Sequence, residues 1–316
     1  GGLTMSPDQL TSQIKDIKAN LVDKSGNFGV DLAIPQVGGN ARKTNHDYTH
    51  GHLPELIDVI IEEQATLFVC AVGVPPRWVV DKLHAGGVLI GNMIGHPQHV
   101  EKALAAGVDM IIAQGSEAGG HTGSVGTLPL IPQCVDLCRG RTSPLNGEQV
   151  LVVAAGGIYD GRGVAAALAL GAAGVWVGTR FICAEESSAG PKHRRAVLNA
   201  QSTDTTQTLI YSGRPLRVYN NDYTREWDEQ HAEKIKELTG KGIIPASWDS
   251  ENHLVRGEEM SLDYIPDLMG QGAGAIHEVK PAAEIISEMM EVATEILSGN
   301  AALVSSRAEA PAAARL

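Results

Sequence analysis

Three short stretches carry residues able to do chemistry. The first is Ala113-Gln114-Gly115-Ser116-Glu117-Ala118-Gly119-Gly120-His121-Thr122-Gly123. It sets an amide, Gln114, at the end of an apolar run and an imidazole, His121, in a glycine-rich loop. A neutral imidazole near pH 7 can take a proton from carbon beside an electron-withdrawing group, or orient an anion. The others are Ala154-Ala155-Gly156-Gly157-Ile158 and Val177-Gly178-Thr179-Arg180, each at the end of an apolar run. Glycine at such turns lets backbone N–H groups approach a phosphate with no Cβ in the way. Plain turn geometry could explain either one; two in succession point to phosphate. No Gly-Lys-Ser/Thr loop and no early Gly-x-Gly-x-x-Gly is present, so neither a nucleoside triphosphate nor a Rossmann dinucleotide is indicated.

These residues need a scaffold, and the hydrophobic pattern supplies one. Apolar runs rich in Val and Ile cover 28–34, 66–72, 88–94, 110–114, 150–155 and 174–179. They are uniformly apolar rather than alternating, as in strands covered on both faces. Amphipathic stretches at 53–64, 76–84, 96–106, 128–139 and 160–170 lie between them, several ending in a glycine stop. Strand–helix alternation predicts βαβ units and a parallel sheet. A (β/α)8 barrel has eight strands, of which six are visible, and its phosphate site lies after strands seven and eight, where the two glycine turns fall. The expected fold is therefore α/β, a TIM-type (β/α)8 barrel that is N-terminally incomplete as written. Gly1-Gly2-Leu3 would be what remains of the second strand, and 6–20 the helix after it, with Ser6 as cap and Pro7 in the first turn. An open doubly wound sheet is the alternative.

From residue 183 the pattern becomes more polar and loses the strand rhythm. The expected organisation is a barrel over 1–182, a mainly helical cap over 183–262 with helices at 191–199 and 225–238, a return to the barrel over 263–304 with a long helix at 281–297, and a disordered tail over 305–316.

Of 316 residues, 25 are Lys or Arg and 37 are Asp or Glu, a formal charge of −12. That balance argues against a sequence-independent nucleic-acid binder and against anchoring to an anionic membrane surface. No apolar run reaches the ~20 residues of a membrane helix. The four cysteines are too few and scattered for a disulfide framework, so a reducing, cytoplasmic setting is expected.

The run at 113–121, the Ala-Ala-Gly-Gly-Ile-x-Asp-Gly-Arg-Gly run at 154–163, Val-Gly-Thr-Arg-Phe at 177–181 and Gly270-Gln271-Gly272-Ala273-Gly274 together resemble the nitronate monooxygenases, over residues 1 to 299. Members are FMN-dependent barrels with a smaller second domain. They oxidise alkyl nitronates with O2 to a carbonyl compound and nitrite. The resemblance implies that Gly156, Gly157, Gly178 and Thr179 hold the FMN phosphate. It implies that Gln114, Gly119 and Gly120 border the flavin, that Asn92 contacts it, and that Gln271 approaches the ring from the other side. His121 matches the catalytic histidine. Asp31 stands where an asparagine is usual, and the family's first-strand Gly-Pro-Met-type turn is missing. A NAD(P)H-dependent flavin reductase of the quinone or enoyl-acyl-carrier-protein type shares these motifs, and a non-catalytic truncated barrel is a third reading. The implied partners are a small-molecule nitronate and O2, and a homodimer is compatible with them.

His46, Asp47, His50 and His52 read as a solvated loop near the mouth, with metal ligation the minor alternative and Tyr48 a candidate to touch substrate. Ala314-Arg315-Leu316 resembles a peroxisomal address, which matters only in a eukaryotic host.

Overall fold

In the computed structural model the described residues are 2–23, 27–34, 43–44, 46–256 and 261–308, side chains being described to 299. Six parallel strands form one curled sheet: β1 (Gly29–Ala33), β2 (Leu67–Ala71), β3 (Leu89–Ile94), β4 (Met110–Gln114), β6 (Leu151–Ala155) and β7 (Gly174–Trp176). The two-residue β5 (Gly120–His121) lies outside this sheet. The strand order, β1-β2-β3-β4-β6-β7, never reverses. A doubly wound sheet must reverse at its switch point, so the sheet is an arc of a singly wound barrel. On the free edge of β1, the Gly2 N–H donates to the Asp31 carbonyl at 2.8 Å. Ser6 then caps α1 (Pro7–Asn20), as the sequence predicts, and Gln9 completes a capping box with it.

The apolar runs are long enough to serve two layers at once. Val30, Leu32, Phe68, Cys70, Ile90, Ile111, Val152 and Ala154 face a core shared with the helices. Val69, Ile112 and Ala155 face the concave side, with Leu67, Met93, Met110 and Val153 packed on them. Successive residues point to opposite faces, which is why neither layer could tolerate a polar alternation. The outer layer is α2 (Leu53–Glu62), α3 (Arg77–Ala85), α4 (Val100–Ala106), α5 (Thr127–Cys138) and α6 (Gly161–Ala169). In α2, Leu56, Ile57 and Ile60 are fully buried on one face, each contributing roughly 1.5–3 kcal/mol by burial.

The region after 182 differs from expectation. A short α7 (Thr179–Ile182) leads to α8 (Pro191–Asn199), as predicted. Two strands then follow, β8 (Thr205–Thr208) and β9 (Leu216–Tyr219), which pair antiparallel with each other and with β5 in the order β5-β9-β8. The cap thus carries a small sheet besides its helices. Instead of one helix at 225–238 there are α9 (Asp222–Gln230) and α10 (Ala232–Gly240), broken at His231, and then α11 (Pro245–Arg256). The last helix, α12 (Ala282–Ala308), packs on α6 and continues into the segment expected to be a disordered tail. Ala314-Arg315-Leu316 lies outside the described residues. No helix among the described residues is long and apolar enough to cross a membrane.

Candidate active site

Strand β4 ends at Gln114, which shares the concave face with Met110 and Ile112. Its side-chain amide makes no hydrogen bond among the described residues. The chain then turns through 115–119 and is captured by the cap sheet, where Gly120 pairs with Arg217 and His121 with Leu216. Arg217 is buried and fastens the loop: its Nε donates to the Ser116 carbonyl at 2.8 Å and its Nη1 to Thr205 Oγ1 at 3.0 Å. Gln207 donates to the Gly123 carbonyl at 3.1 Å from β8. The cap therefore sets where the imidazole stands.

His121 Nε2 is 2.9 Å from Ser212 Oγ, a buried hydroxyl in the turn before β9. Burial, aided by the positive charge of Arg214, pushes the His121 pKa down to about 4. The ring is neutral at pH 7. Tyr48 meets it edge-on at 6.3 Å between centroids, and burial raises the Tyr48 phenol. His46 in turn lies against Tyr48 at 4.9 Å and His50 at 6.1 Å, so this part of the loop folds against the site.

The glycine turns lie beside each other because Ala155 is in register with Trp176. Gly156 (φ +94°) and Gly157 (φ +72°) occupy the left-handed region. A Cβ on Gly156 would also lie 2.9 Å from the Gly115 carbonyl oxygen, so that glycine is required by backbone shape and contact. Gly178 is different. Its φ is −110°, ordinary for any residue, and a Cβ there would project into open space. The backbone N–H groups of Gly156, Gly157, Gly178 and Thr179 donate to nothing among the described residues. N–H groups without an acceptor at the ends of two adjacent strands suit an anion such as a phosphate.

Residues 269–271 close the ring of contacts. The Gly270 N–H donates to Thr179 Oγ1 at 2.9 Å, and the Gln271 N–H donates to the Glu117 carbonyl at 2.9 Å. A Cβ on Gly119 would lie 2.7 Å from the Met269 carbonyl carbon, so the His loop and this segment touch backbone to backbone. The Glu117 carboxylate accepts from the Thr127 N–H at 3.0 and 2.9 Å, capping α5. A cavity of about 310 Å³ runs between α5 and α6, walled by Glu117, Gly156, Gly157, Tyr159 and Gln271 among others. Gly178 and Thr179 are not among its walls.

Gln114, Gly119, Gly120, His121, Gly156, Gly157, Gly178, Thr179 and Gln271 thus come together through β4, β6, β7 and the 269–271 contact. Asn92, expected from the resemblance to contact the flavin, does not join them. It lies mid-strand in β3, 0% exposed, on the same face as Ile90 and Ile94. Its amide donates to the Cys70 carbonyl at 2.9 Å and the Gly73 carbonyl at 2.7 Å, tying down the turn after β2, while Oδ1 stays buried without a partner. Sequence reasoning missed Ser212 and Arg217. The signal was present in Ser212-Gly213-Arg214-Pro215, a turn, followed by Leu216-Arg217-Val218, but strands this short are masked by their polar neighbours.

Known proteins place the fold and the chain. The profile of the nitronate monooxygenase family matches residues 1–291. A Mycobacterium tuberculosis protein named as a monooxygenase is 34% identical over 268 residues, 83% of this chain and 69% of that one. A Staphylococcus aureus (strain Newman) protein named as a nitronate monooxygenase is 39% identical over 186 residues, 55% of this chain. The match spans about half the length of that relative, 49%. Among solved structures, FabK from Thermotoga maritima superposes with TM-score 0.73 at 27% identity, covering 96% of this chain and 86% of that one. Nitroalkane oxidase from Streptomyces ansochromogenes, at 23% identity and TM-score 0.74 over 94% and 88% of the two chains, shares the fold. With a family profile running through β1 to β7, the cap and the start of the final helix, this chain belongs to the nitronate monooxygenase family of flavin oxidoreductases.

Proposed function

We propose that the chain binds FMN across the two glycine turns and oxidises alkyl nitronates, and nitroalkanes, with O2 to a carbonyl compound and nitrite. The observation that carries this reading is a neutral, half-buried imidazole on the loop after β4, joined through the 269–271 contact to glycine turns whose backbone N–H groups have no acceptor among the described residues. In this reading the N–H groups of Gly156, Gly157, Gly178 and Thr179 hold the phosphate. Each charge-assisted bond adds about 1.5–3 kcal/mol. Gln114, Gly119, Gly120 and Gln271 border the isoalloxazine. Bound there, FMN supplies the redox chemistry, taking electrons from the substrate and passing them to O2.

The chain's own contribution is orientation and proton handling. The Arg214 carbonyl, 3.3 Å from Ser212 Oγ, can take the single serine proton, and with the hydroxyl so turned His121 Nε2–H donates to Ser212 Oγ at 2.9 Å. Nδ1 then keeps its lone pair. It accepts the carbon-bound proton of a neutral nitroalkane, or lies against a nitronate that arrives already ionised. The charge of Arg214 favours that anion.

The test compares wild type with His121→Asn. Wild-type chain loaded with FMN should release nitrite from an alkyl nitronate without a nicotinamide cofactor. The variant should lose turnover of neutral nitroalkanes by about 10²–10⁴-fold and of preformed nitronates far less. Equal losses would remove the base role. The FabK likeness motivates a control: bleaching of the flavin by NADH alone, with no nitrite from any nitronate, would assign a reductase instead.

A further inference from the structure

A second cavity of about 360 Å³ lies in the cap and shares no wall with the His121 site. Tyr223 and Trp227 of α9, Lys234 of α10, and Trp248, Asp249 and His253 of α11 form its walls. It is an aromatic pocket with acid at its base and rim. Tyr223 and Trp227 sit 6.3 Å apart between centroids, and Trp227 meets His231 edge-on at 5.2 Å. The Asp249 carboxylate is largely buried; it accepts the Tyr223 hydroxyl at 3.0 Å and lies 3.3 Å from His253 Nδ1. Glu226 stands at the rim, half exposed.

Two features decide what such a pocket would take. Counting Asp, Glu and Lys, its walls carry Glu226 and Asp249 against Lys234, an excess of negative charge. The chain's own ammonium already shows the preferred contact: Lys234 Nζ lies 4.6 Å from the Trp248 ring centroid while it pairs with Glu237 at 3.1 Å. An indole face attracts a cation through its quadrupole, more strongly as water is excluded. A neutral ring would gain from the stacking surfaces alone and nothing from the carboxylates. We propose that this pocket binds a small organic cation, an alkylammonium seated on the Trp248 face with Glu226 and Asp249 as its counter-charges.

The test uses the full chain at constant ionic strength and reads tryptophan emission. Choline chloride is titrated beside 3,3-dimethyl-1-butanol, its neutral isostere. Choline should give a saturable change, and the alcohol should bind about tenfold more weakly. Lys234→Ala removes a competing ammonium and should tighten choline severalfold. Glu226→Gln, on an exposed side chain, should weaken it severalfold with the fold intact. Trp248→Phe should remove most of the signal. The proposal is overturned if choline binds no better than the alcohol, which makes the pocket a plain apolar cleft. It is also overturned if Lys234→Ala weakens choline, if Trp248→Phe leaves the signal whole, or if no saturable change occurs.

Discussion

His121 and Ser212 stand 91 residues apart in sequence and 2.9 Å apart in space. The first rides on the loop after β4 and the second on the turn before β9, so their contact joins the pairing of β5 with β9 and the Arg217 and Gln207 bonds in holding that loop to the cap sheet. Pairing of β5 with β9 fixes the distance, and in the proposed reading the Ser212 hydroxyl takes the Nε2 proton and leaves Nδ1 as the base. Ser212→Ala should therefore lower kcat about ten- to a hundredfold with KM little changed, since the substrate still meets the same walls. Ser212→Thr, which keeps the hydroxyl, should restore part of the loss. A variant that raised KM alone would show that Ser212 shapes the pocket instead of setting the imidazole.

The pH profile follows from the same burial. His121 is pushed down to about 4, below the usual histidine value near 6.5. Turnover that needs the neutral ring should be flat from pH 8 to about 5 and fall only below that. Stability changes in a different window. Between about 6.5 and 4 the unfolded chain holds a proton on this histidine that the folded chain refuses, so the unfolded state binds more protons. Stability therefore drops as pH falls from about 6.5 toward 4, and the effect is absent above 6.5. Urea unfolding of wild type and His121→Gln at pH 7 and pH 5 checks this: the variant should lose less stability on acidification. Equal losses would place the acid sensitivity elsewhere.

Much of the barrel was legible because each strand is an unbroken apolar run and each run ends in turn chemistry. Strand β4 matches its predicted bounds, and β1, β2, β3 and β6 differ from theirs only by a residue or so at either end. The glycine turns and the His loop were legible for the same reason: they are local, lying within a few residues of a strand end. What was not legible depends on partners far away in sequence. Thr205–Thr208 is polar and becomes a strand only because β9 and the His loop pair beside it. The placement of Asn92 away from these residues follows from strand parity. A residue in a run covered on both faces gives no sign of which face it takes, and Asn92 falls with Ile90 on the helix side.

The two kinds of glycine in the turns should separate in experiment. Gly178→Ala adds a methyl into open space at an ordinary φ, so the flavin-free melting temperature should stay within a degree or two of wild type. If Gly178 is glycine because a phosphate lies against its backbone, FMN affinity should nonetheless fall by at least tenfold. Gly156→Ala must adopt φ +94° and approach the Gly115 carbonyl at 2.9 Å, and should lose stability by about 1–3 kcal/mol along with FMN binding. Fluorescence titration with FMN and flavin-free thermal unfolding supply both readouts. Unchanged FMN affinity in Gly178→Ala would remove that turn from the cofactor site.

The opposite end of the barrel holds a buried carboxylate with no chemistry to do. Asp109, 3% exposed, precedes β4 and accepts four hydrogen bonds. One oxygen takes the Ile90 N–H at 2.7 Å and faces His84 Nε2 at 2.9 Å; the other takes Ser143 Oγ at 2.6 Å and the Leu145 N–H at 3.3 Å. One side chain thus binds the starts of β3 and β4 to the C-terminal turn of α3 and to the loop before β6. Asp109→Asn is the same size, but its NH2 must face one of the two donor sets, leaving those donors buried without an acceptor. The expected cost is about 2–4 kcal/mol in urea unfolding, the range for stranded buried donors. Because the site lies at the other ends of the strands, kcat per folded molecule should not change. A loss of activity larger than the loss of folded protein would mean that strain at the base of β4 reaches Gln114 and His121 through the strand itself.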